Sequence, residues 1–283
     1  RRLHGLEGPP SRLLFKGGTS LSKVYGAIDR FSEDVDLAFD RADLGFGGSD
    51  DPARAPSRKQ AQRRVELLAE RCDRMVQQEL REQLIDAITR SLGEAAARWT
   101  LVASDRQAAT LDFAYPRRDG DPHEEHAYVR PIVRLEIGAR SDHWPVVEAS
   151  IVPYVAEVLP DRVADPRGTV RALAGERTFW EKATILHAWC HARMSKPTPA
   201  RQARHMYDLA MLARHPIGAR ALEAIELLAQ VAEHKQVFFA SAWARYDLAR
   251  PGTLRLILDG DRRAAFERDH RAMEQMIFGP APP

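Results

Sequence analysis

The chain has 283 residues, 44% of them hydrophobic, with 42 Lys and Arg against 40 Asp and Glu and a formal net charge of +2. That is enough apolar material for one large core or two modest ones, the balance of charge does not by itself mark a polyanion binder, and no stretch approaches the roughly 18 uninterrupted apolar residues of a membrane span. Its two cysteines, Cys72 and Cys190, lie far apart without metal-ligand spacing, which argues against a disulfide framework or a zinc site and suits a reducing, cytoplasmic setting with no membrane partner. Residues 1–10 hold no apolar run of signal-peptide length, so no export route is expected; the sequence opens on Arg1 rather than Met, which leaves a preceding segment open.

In chain order, the apolar run Leu13 to Phe15 predicts a buried strand that ends at Gly17 and Gly18, two residues that free the backbone for a turn. Thr19 or Ser20 is placed to cap a following helix of about three turns. A strand follows through Asp34-Val-Asp-Leu. Asp40 to Ser57 is rich in Gly, Asp and Pro and reads as a mobile loop beside the site, placed to act as a lid. Lys59 to Leu92 has helical spacing, with Val65, Leu68, Ala69, Cys72, Met75 and Val76 on one side and Gly93 as the expected break. Trp99 to Ala103, Ala108 to Tyr115 and Val129 to Ile137 have strand character, the last two joined as a hairpin through residues 116–126, and a further extended stretch is expected within Val146 to Val155. Leu159 to Gly168 reads as a boundary, which divides the chain into 1–165 and 166–283. Beyond it Glu176 to Arg193, Gln202 to Arg214, Ala219 to Phe239 and Asp261 to Ile277 are predicted helices, interrupted at Pro197, Pro216 and Pro251. The expected fold class is α+β: a mixed-sheet domain followed by a helical domain, with the site in the cleft between them.

The glycine turn can cradle phosphate. Backbone N–H groups at a helix start carry partial positive charge, and the Ser20 hydroxyl with Lys16 or Lys23 adds donors. The strand after it is more specific, because residues two apart share a face. Ser32, Asp34 and Asp36 therefore line up, while Val35, Leu37 and Phe39 point into a core. Two carboxylates that close repel, and divalent ions such as Mg²⁺ relieve the repulsion by taking carboxylate and phosphate oxygens as ligands. Asp34 and Asp36 are thus the candidate metal ligands, with the chemistry of a phosphoryl or nucleotidyl transfer. Glycine turn, helix and acidic strand in this order resemble the arrangement of polymerase-β-like nucleotidyltransferases.

Three further charges fall where charge is costly. Lys182 lies on the apolar stripe of Phe179, Ala183, Leu186 and Cys190, so it is expected to face the cleft and meet phosphate oxygens. Asp208 is the one charge in an otherwise apolar run from Met206 to Ala213 and needs a cation, Lys182 or Arg204. Glu136 shares a strand face with Arg134 and is a third carboxylate for metal or proton transfer, with Asp112 as the competing candidate. Between Arg171 and Arg220 cations far outnumber acids, and Arg193, Arg201 and Arg214 in this stretch are candidates for binding a polyanionic acceptor.

Several segments resemble the AbiEii/AbiGii nucleotidyltransferase toxins, which include the MenT branch. Lys16-Gly-Gly-Thr-Ser-Leu-Ser-Lys23 with Arg30-Phe-Ser-Glu-Asp-Val-Asp-Leu37 is similar to the family's first motif. Phe179-Trp-Glu-Lys182 resembles the motif carrying the catalytic lysine, Arg204-His-Met-Tyr-Asp-Leu209 a later element near the active site, and Val133 to Arg140 a central strand. The resemblance implies a polymerase-β-type fold, transfer of a nucleotide from an NTP with release of pyrophosphate, Mg²⁺ and a cognate antitoxin. It also implies an RNA acceptor, the tRNA 3′ end in the MenT branch, whose extension halts translation. Carried over by motif, Ser32, Asp34, Asp36, Lys182 and Asp208 are site residues, with Lys16, Gly17, Gly18, Thr19, Ser20, Lys23 and Arg204 around the nucleotide. The same core also serves enzymes that modify proteins or small molecules, and binding modules that hold an NTP without turnover.

Overall fold

The computed structural model describes residues 6–32, 34–92, 99–115, 132–163, 167–193 and 195–278. The chain begins with β1 (Leu14–Lys16), α1 (Gly17–Lys23) and β2 (Asp34–Ala38). After a loop come α2 (Arg58–Met75), a π-helical turn (Val76–Leu80) and α3 (Arg81–Leu92). Strands β3 (Thr100–Ala103), β4 (Thr110–Ala114), β5 (Ile132–Gly138) and β6 (Val146–Ile151) follow, then the short α4 (Tyr154–Val158) and β7 (Gly168–Leu173). Among the described residues five helices follow: α5 (Gly175–His191), α6 (Ala203–Arg214), α7 (Pro216–Glu223), α8 (Glu226–Phe238) and α9 (Gly260–Met273).

The seven strands form one mixed sheet in the order β3-β4-β5-β2-β1-β7-β6. Pairs β1–β7 and β2–β5 are parallel and the other four pairs antiparallel. The class is α+β, as expected. The division expected at residue 165 puts β7 with the helical half, yet its ladder bonds run to β1 and β6 in the sheet. The helix expected over Ala219 to Phe239 is two helices, α7 and α8, broken at Ala224, whose ψ of 53° leaves the helical region. The hairpin link at 116–126, the start of the strand expected from Val129 and the break at Gly93 lie outside the described residues.

Alternation decides which way the sheet faces. Phe15, Leu37, Leu111 and Ile137 pack with Leu68, Cys72 and Met75 of α2 and with Phe238 of α8 in one apolar cluster. The opposite, polar side of β2 and β5 is left for the site. The C-terminal helices have their own cluster, built on Phe179, Trp180, Leu186 and Trp189 of α5 and joined by Leu21 of α1 and Ile28. The two halves are therefore knitted by α1 on one side and α8 on the other. The last described residues add a further tie. Phe31 N–H donates to Met276 O at 2.6 Å and Phe278 N–H to Asp29 O at 2.7 Å, so residues 276–278 brace the segment that leads into β2.

The loop from Asp40 to Ser57, whose composition suggests a lid, carries ordered turns and ion pairs. Arg41 pairs with Asp51 and Asp142, Arg64 donates to the Ser49 and Asp51 carbonyls, and 3₁₀ turns occupy Gly48–Asp50 and Pro52–Arg54. Composition signals turns but is silent about the contacts that fix them, made by Arg41 within the loop and by Arg64 of α2.

Candidate active site

The site forms where β1 passes into α1. Gly17 has φ of +73°, and a Cβ there would fall 1.8 Å from Asp36 Oδ2. Glycine is therefore required both by the backbone and by the carboxylate that sits against it. A Cβ on Gly18 would lie 2.7 Å from an Arg30 guanidinium nitrogen and 2.8 Å from Ser32 Oγ. The glycine pair thus lets Asp36, Arg30 and Ser32 close on the start of α1. Neither Thr19 nor Ser20 caps that start. The Thr19 hydroxyl donates to the Asp34 carbonyl, tying α1 to β2, and the Ser20 hydroxyl donates to Gly17 O at 2.9 Å from a fully buried position. The cap position is Lys16, in extended conformation and without a side-chain cap, and α1 has seven residues rather than three turns.

Strand register assembles the acids. Asp36 stands opposite Lys16 on β1 and Glu136 on β5, and Asp34 stands opposite Arg134. Directly paired residues share a face, so Asp34, Asp36 and Glu136 converge on the polar side of the sheet. Burial, and then the charges of Asp34 and Asp36, push the Glu136 carboxyl above the usual carboxylate range. Asp112 is engaged differently. It takes a two-point ion pair from Arg134 at 2.8 and 3.1 Å, so Glu136 lines the cavity and Asp112 does not.

The opposite wall comes from α5 and α6. Lys182 faces inward, as its stripe predicted, and its Nζ lies 2.8 Å from Asp208 Oδ2 and 3.3 Å from His205 Nδ1. Asp208 is fully buried and receives two further hydrogen bonds from Arg30, Nε to Oδ1 at 2.7 Å and Nη2 to Oδ2 at 2.9 Å. Burial alone would raise the Asp208 carboxyl, but Lys182 and then Arg30 outweigh it and hold the group well below the usual range. Burial, with Lys182 beside it, lowers the His205 imidazole well below its ordinary value. A neutral ring leaves Nδ1 free to accept from the Lys182 ammonium. The expected partnership of Asp208 with Lys182 is present, whereas Arg204 points elsewhere and approaches Asp34 at 3.8 Å.

Lys16, Gly17, Gly18, Ser32, Asp34, Asp36, Glu136, Lys182 and Arg204 all line one cavity, together with Arg30, Thr178, Glu181 and His205. Lys23 is not among them. It lies at the C-terminal end of the short α1, where its ammonium bonds Val152 O and Glu157, each at 3.1 Å, over the Tyr154 ring. The basic stretch from Arg171 to Arg220 is also thinner than its sequence suggests. Arg177 is fully buried against Asp142, Glu181 and the Trp144 carbonyl, and Arg220 is paired with Glu176. Arg193, Arg201 and Arg214 are exposed.

Asp34 and Asp36 supply hard oxygen donors on one face. Among the described residues no group of three or more His, Cys, Asp or Glu is arranged as a metal cage. That donor set fits Mg²⁺, which keeps several waters and takes one or two carboxylates plus substrate phosphates rather than an all-protein cage. Arg30 is the site residue that sequence reasoning left without a role. Arg30 and Ser32 precede β2, so strand alternation gives no signal for Arg30, whose role depends on Asp208 of the distant α6.

Among the described residues no helix is long and apolar enough to cross a membrane. No curated protein matches the chain. Among solved structures it is similar to MenT4, a nucleotidyltransferase toxin from Mycobacterium tuberculosis H37Rv, with 18% identity over 96% of this chain and 78% of that one and a TM-score of 0.45. A family model described as nucleotidyl transferase AbiEii toxin, type IV TA system, matches residues 5–283. That match takes in every strand of the sheet and both helices that close the cavity, and the chain belongs to the AbiEii family: it is a nucleotidyltransferase toxin of a type IV toxin–antitoxin system.

Proposed function

We propose that this toxin transfers a nucleoside monophosphate from an NTP to the 3′ end of an RNA, in particular tRNA, and so blocks translation in the cytoplasm until a cognate antitoxin counters it. One observation carries the reading: Asp34, Asp36 and Glu136 share a cavity with the glycine-started α1 on one side and Lys182 and Arg204 on the other. In this reading the N-terminus of α1, Lys16, Lys182 and Arg204 hold the triphosphate. Asp208 keeps the Lys182 ammonium aimed into the cavity through their 2.8 Å contact, with Arg30 fixing Asp208 from behind. Ser32 offers a hydroxyl donor beside Gly18.

Asp34 and Asp36 would hold Mg²⁺, which would supply Lewis-acid neutralisation of the phosphate oxygens. The acceptor hydroxyl oxygen forms a bond to the α-phosphorus, and the bond from that phosphorus to the α–β bridging oxygen breaks. Its electron pair leaves with pyrophosphate, and the hydroxyl proton passes to Glu136 or solvent. Arg193, Arg201 and Arg214 are proposed to steer the RNA, because a polyanion is drawn to exposed cations.

Incubation with each labelled NTP and total tRNA tests this. Label on RNA, dependent on Mg²⁺, is the expected result. Label only on protein or a small metabolite, or NTP binding with no turnover on any acceptor, overturns the RNA acceptor.

A further inference from the structure

A second cavity, of about 390 Å³, adjoins the acids and shares Lys16, Asp36 and Glu136 with the first. Its size lies in the usual range of ligand pockets, about 300–1,000 Å³. It holds none of Lys182, Arg204 or Ser32. Its distinctive wall is instead Gln107, Arg140 and Phe239, with the Arg140 guanidinium 4.8 Å from the centre of the Phe239 ring. Phe239 follows the last residue of α8 and is 39% exposed, unlike its neighbour Phe238, which is buried in the core. A large exposed aromatic that carries a cation on its face is a platform on which a nucleobase can stack.

The chemistry fixes which substrate belongs there. In a phosphoryl or nucleotidyl transfer the attacking and leaving oxygens lie roughly in line through the phosphorus. Of the cations that hold the triphosphate, Lys182 and Arg204 line the first cavity alone, while Lys16 borders both. The attacking hydroxyl must therefore enter away from those two cations, and the second cavity reaches Asp36 and Glu136 without them. We propose that this cavity is the acceptor subsite, in which the terminal nucleotide of an RNA strand stacks on the Phe239–Arg140 platform and presents its 3′-hydroxyl past Glu136 and Asp36. The proposal rests on the RNA-acceptor reading given above. Balanced, the step joins the hydroxyl oxygen to the α-phosphorus, releases pyrophosphate with the electron pair of the broken α–β bridge, and frees one proton.

The test uses the full chain with Phe239→Ala, Phe239→Trp and Arg140→Ala variants. Two readouts are taken: steady-state labelling of total tRNA, and the equilibrium Kd for ATP in the absence of RNA. Loss of one stacked base corresponds to roughly fivefold to a hundredfold weaker binding. The KM for tRNA is expected to rise by about that factor in Phe239→Ala and Arg140→Ala and to stay near wild type in Phe239→Trp, while the ATP Kd moves less than about twofold. An equal loss of ATP affinity overturns the assignment and gives the cavity to the nucleoside of the NTP. An unchanged KM in all three variants, with wild type labelling tRNA normally, overturns the subsite and leaves the RNA acceptor standing. Absence of label on RNA with the wild-type protein removes the RNA acceptor itself, and the subsite with it.

Discussion

Arg30 and Asp208, 178 residues apart in sequence, form a two-point ion pair with side chains 2% and 0% exposed. Asp208 Oδ2 is shared between Arg30 Nη2 and Lys182 Nζ, so one carboxylate joins the first motif to both α5 and α6. Burial lowers the Arg30 proton affinity while its bonds to Asp208 more than restore it. Removing one partner of a buried pair leaves the other charge uncompensated, at a cost of about 3–5 kcal/mol. Arg30→Ala should lose that much in urea-induced unfolding, and Arg30→Lys should recover only part of it because an ammonium cannot make the two-point contact. A loss below about 1 kcal/mol would mean that the pair does not hold the two halves together.

Asp34→Asn and Asp36→Asn each remove a charge while keeping the shape of the side chain. Transfer of labelled nucleotide should fall on the order of 10³-fold in each, the scale on which losing one pre-positioned electrostatic group acts. Stability should be retained or rise slightly, since like charges on one strand face repel. Transfer within tenfold of wild type in either variant would remove that carboxylate from the chemistry. For Asp34, loss of growth inhibition on expression in bacteria is the matching cellular readout.

Gly17 and Gly26 separate a backbone requirement from a catalytic one. Both have positive φ, but only at Gly17 does an added Cβ collide with Asp36; at Gly26 nothing lies within 4 Å. Gly26→Ala is expected to cost about 1 kcal/mol of stability with activity intact. Gly17→Ala should abolish transfer, because Asp36 has to move. Similar activities for the two variants would show that the position of Asp36 is not critical.

Lys235 gives a pH signature. Its ammonium donates to Glu181 O at 2.9 Å, and burial pulls it from its ordinary 10.5 down to about 8. Between those values the unfolded chain binds the proton more readily than the fold, so this group's contribution to stability rises with pH. The cost of holding the charge is fully present below pH 8 and is relieved as the pH approaches 10.5, at roughly 3 kcal/mol in total. Comparison with Lys235→Met cancels other titrations. The variant's advantage over wild type should shrink from about pH 8 towards 10.5 in denaturant titrations, and a constant difference would exclude the depressed lysine.

Much of the site is legible in sequence because it depends on local periodicity. A period of two puts Asp34 and Asp36 on one face and Leu37 in the core, and a period of 3.6 turns Lys182 inward. The isolation of Asp208 in an apolar run demanded a cation, and Lys182 supplies it. What sequence does not show is set by contacts between distant segments. Arg30 looks like a surface arginine until α6 brings Asp208 to it. Lys23 looks like a phosphate donor until the short α1 delivers it to Tyr154 and Glu157. Arg177 reads as part of a basic surface and is instead fully buried beside Asp142. Choosing Glu136 over Asp112 needed the register of β4 and β5, which gives Arg134 to Asp112.

The bracing of residues 29–31 by residues 276–278 bears on how such a toxin is made. While the ribosome has yet to deliver α6, Arg30 has no carboxylate to neutralise it and Lys182 has no anchor. The nascent polypeptide is therefore expected to be harmless to the machinery that is making it, with potency arriving only once α6 has been delivered. Chains truncated after residue 200 should fail to label any acceptor, and a chain ending at residue 270 should show reduced activity with the α5 and α6 wall intact.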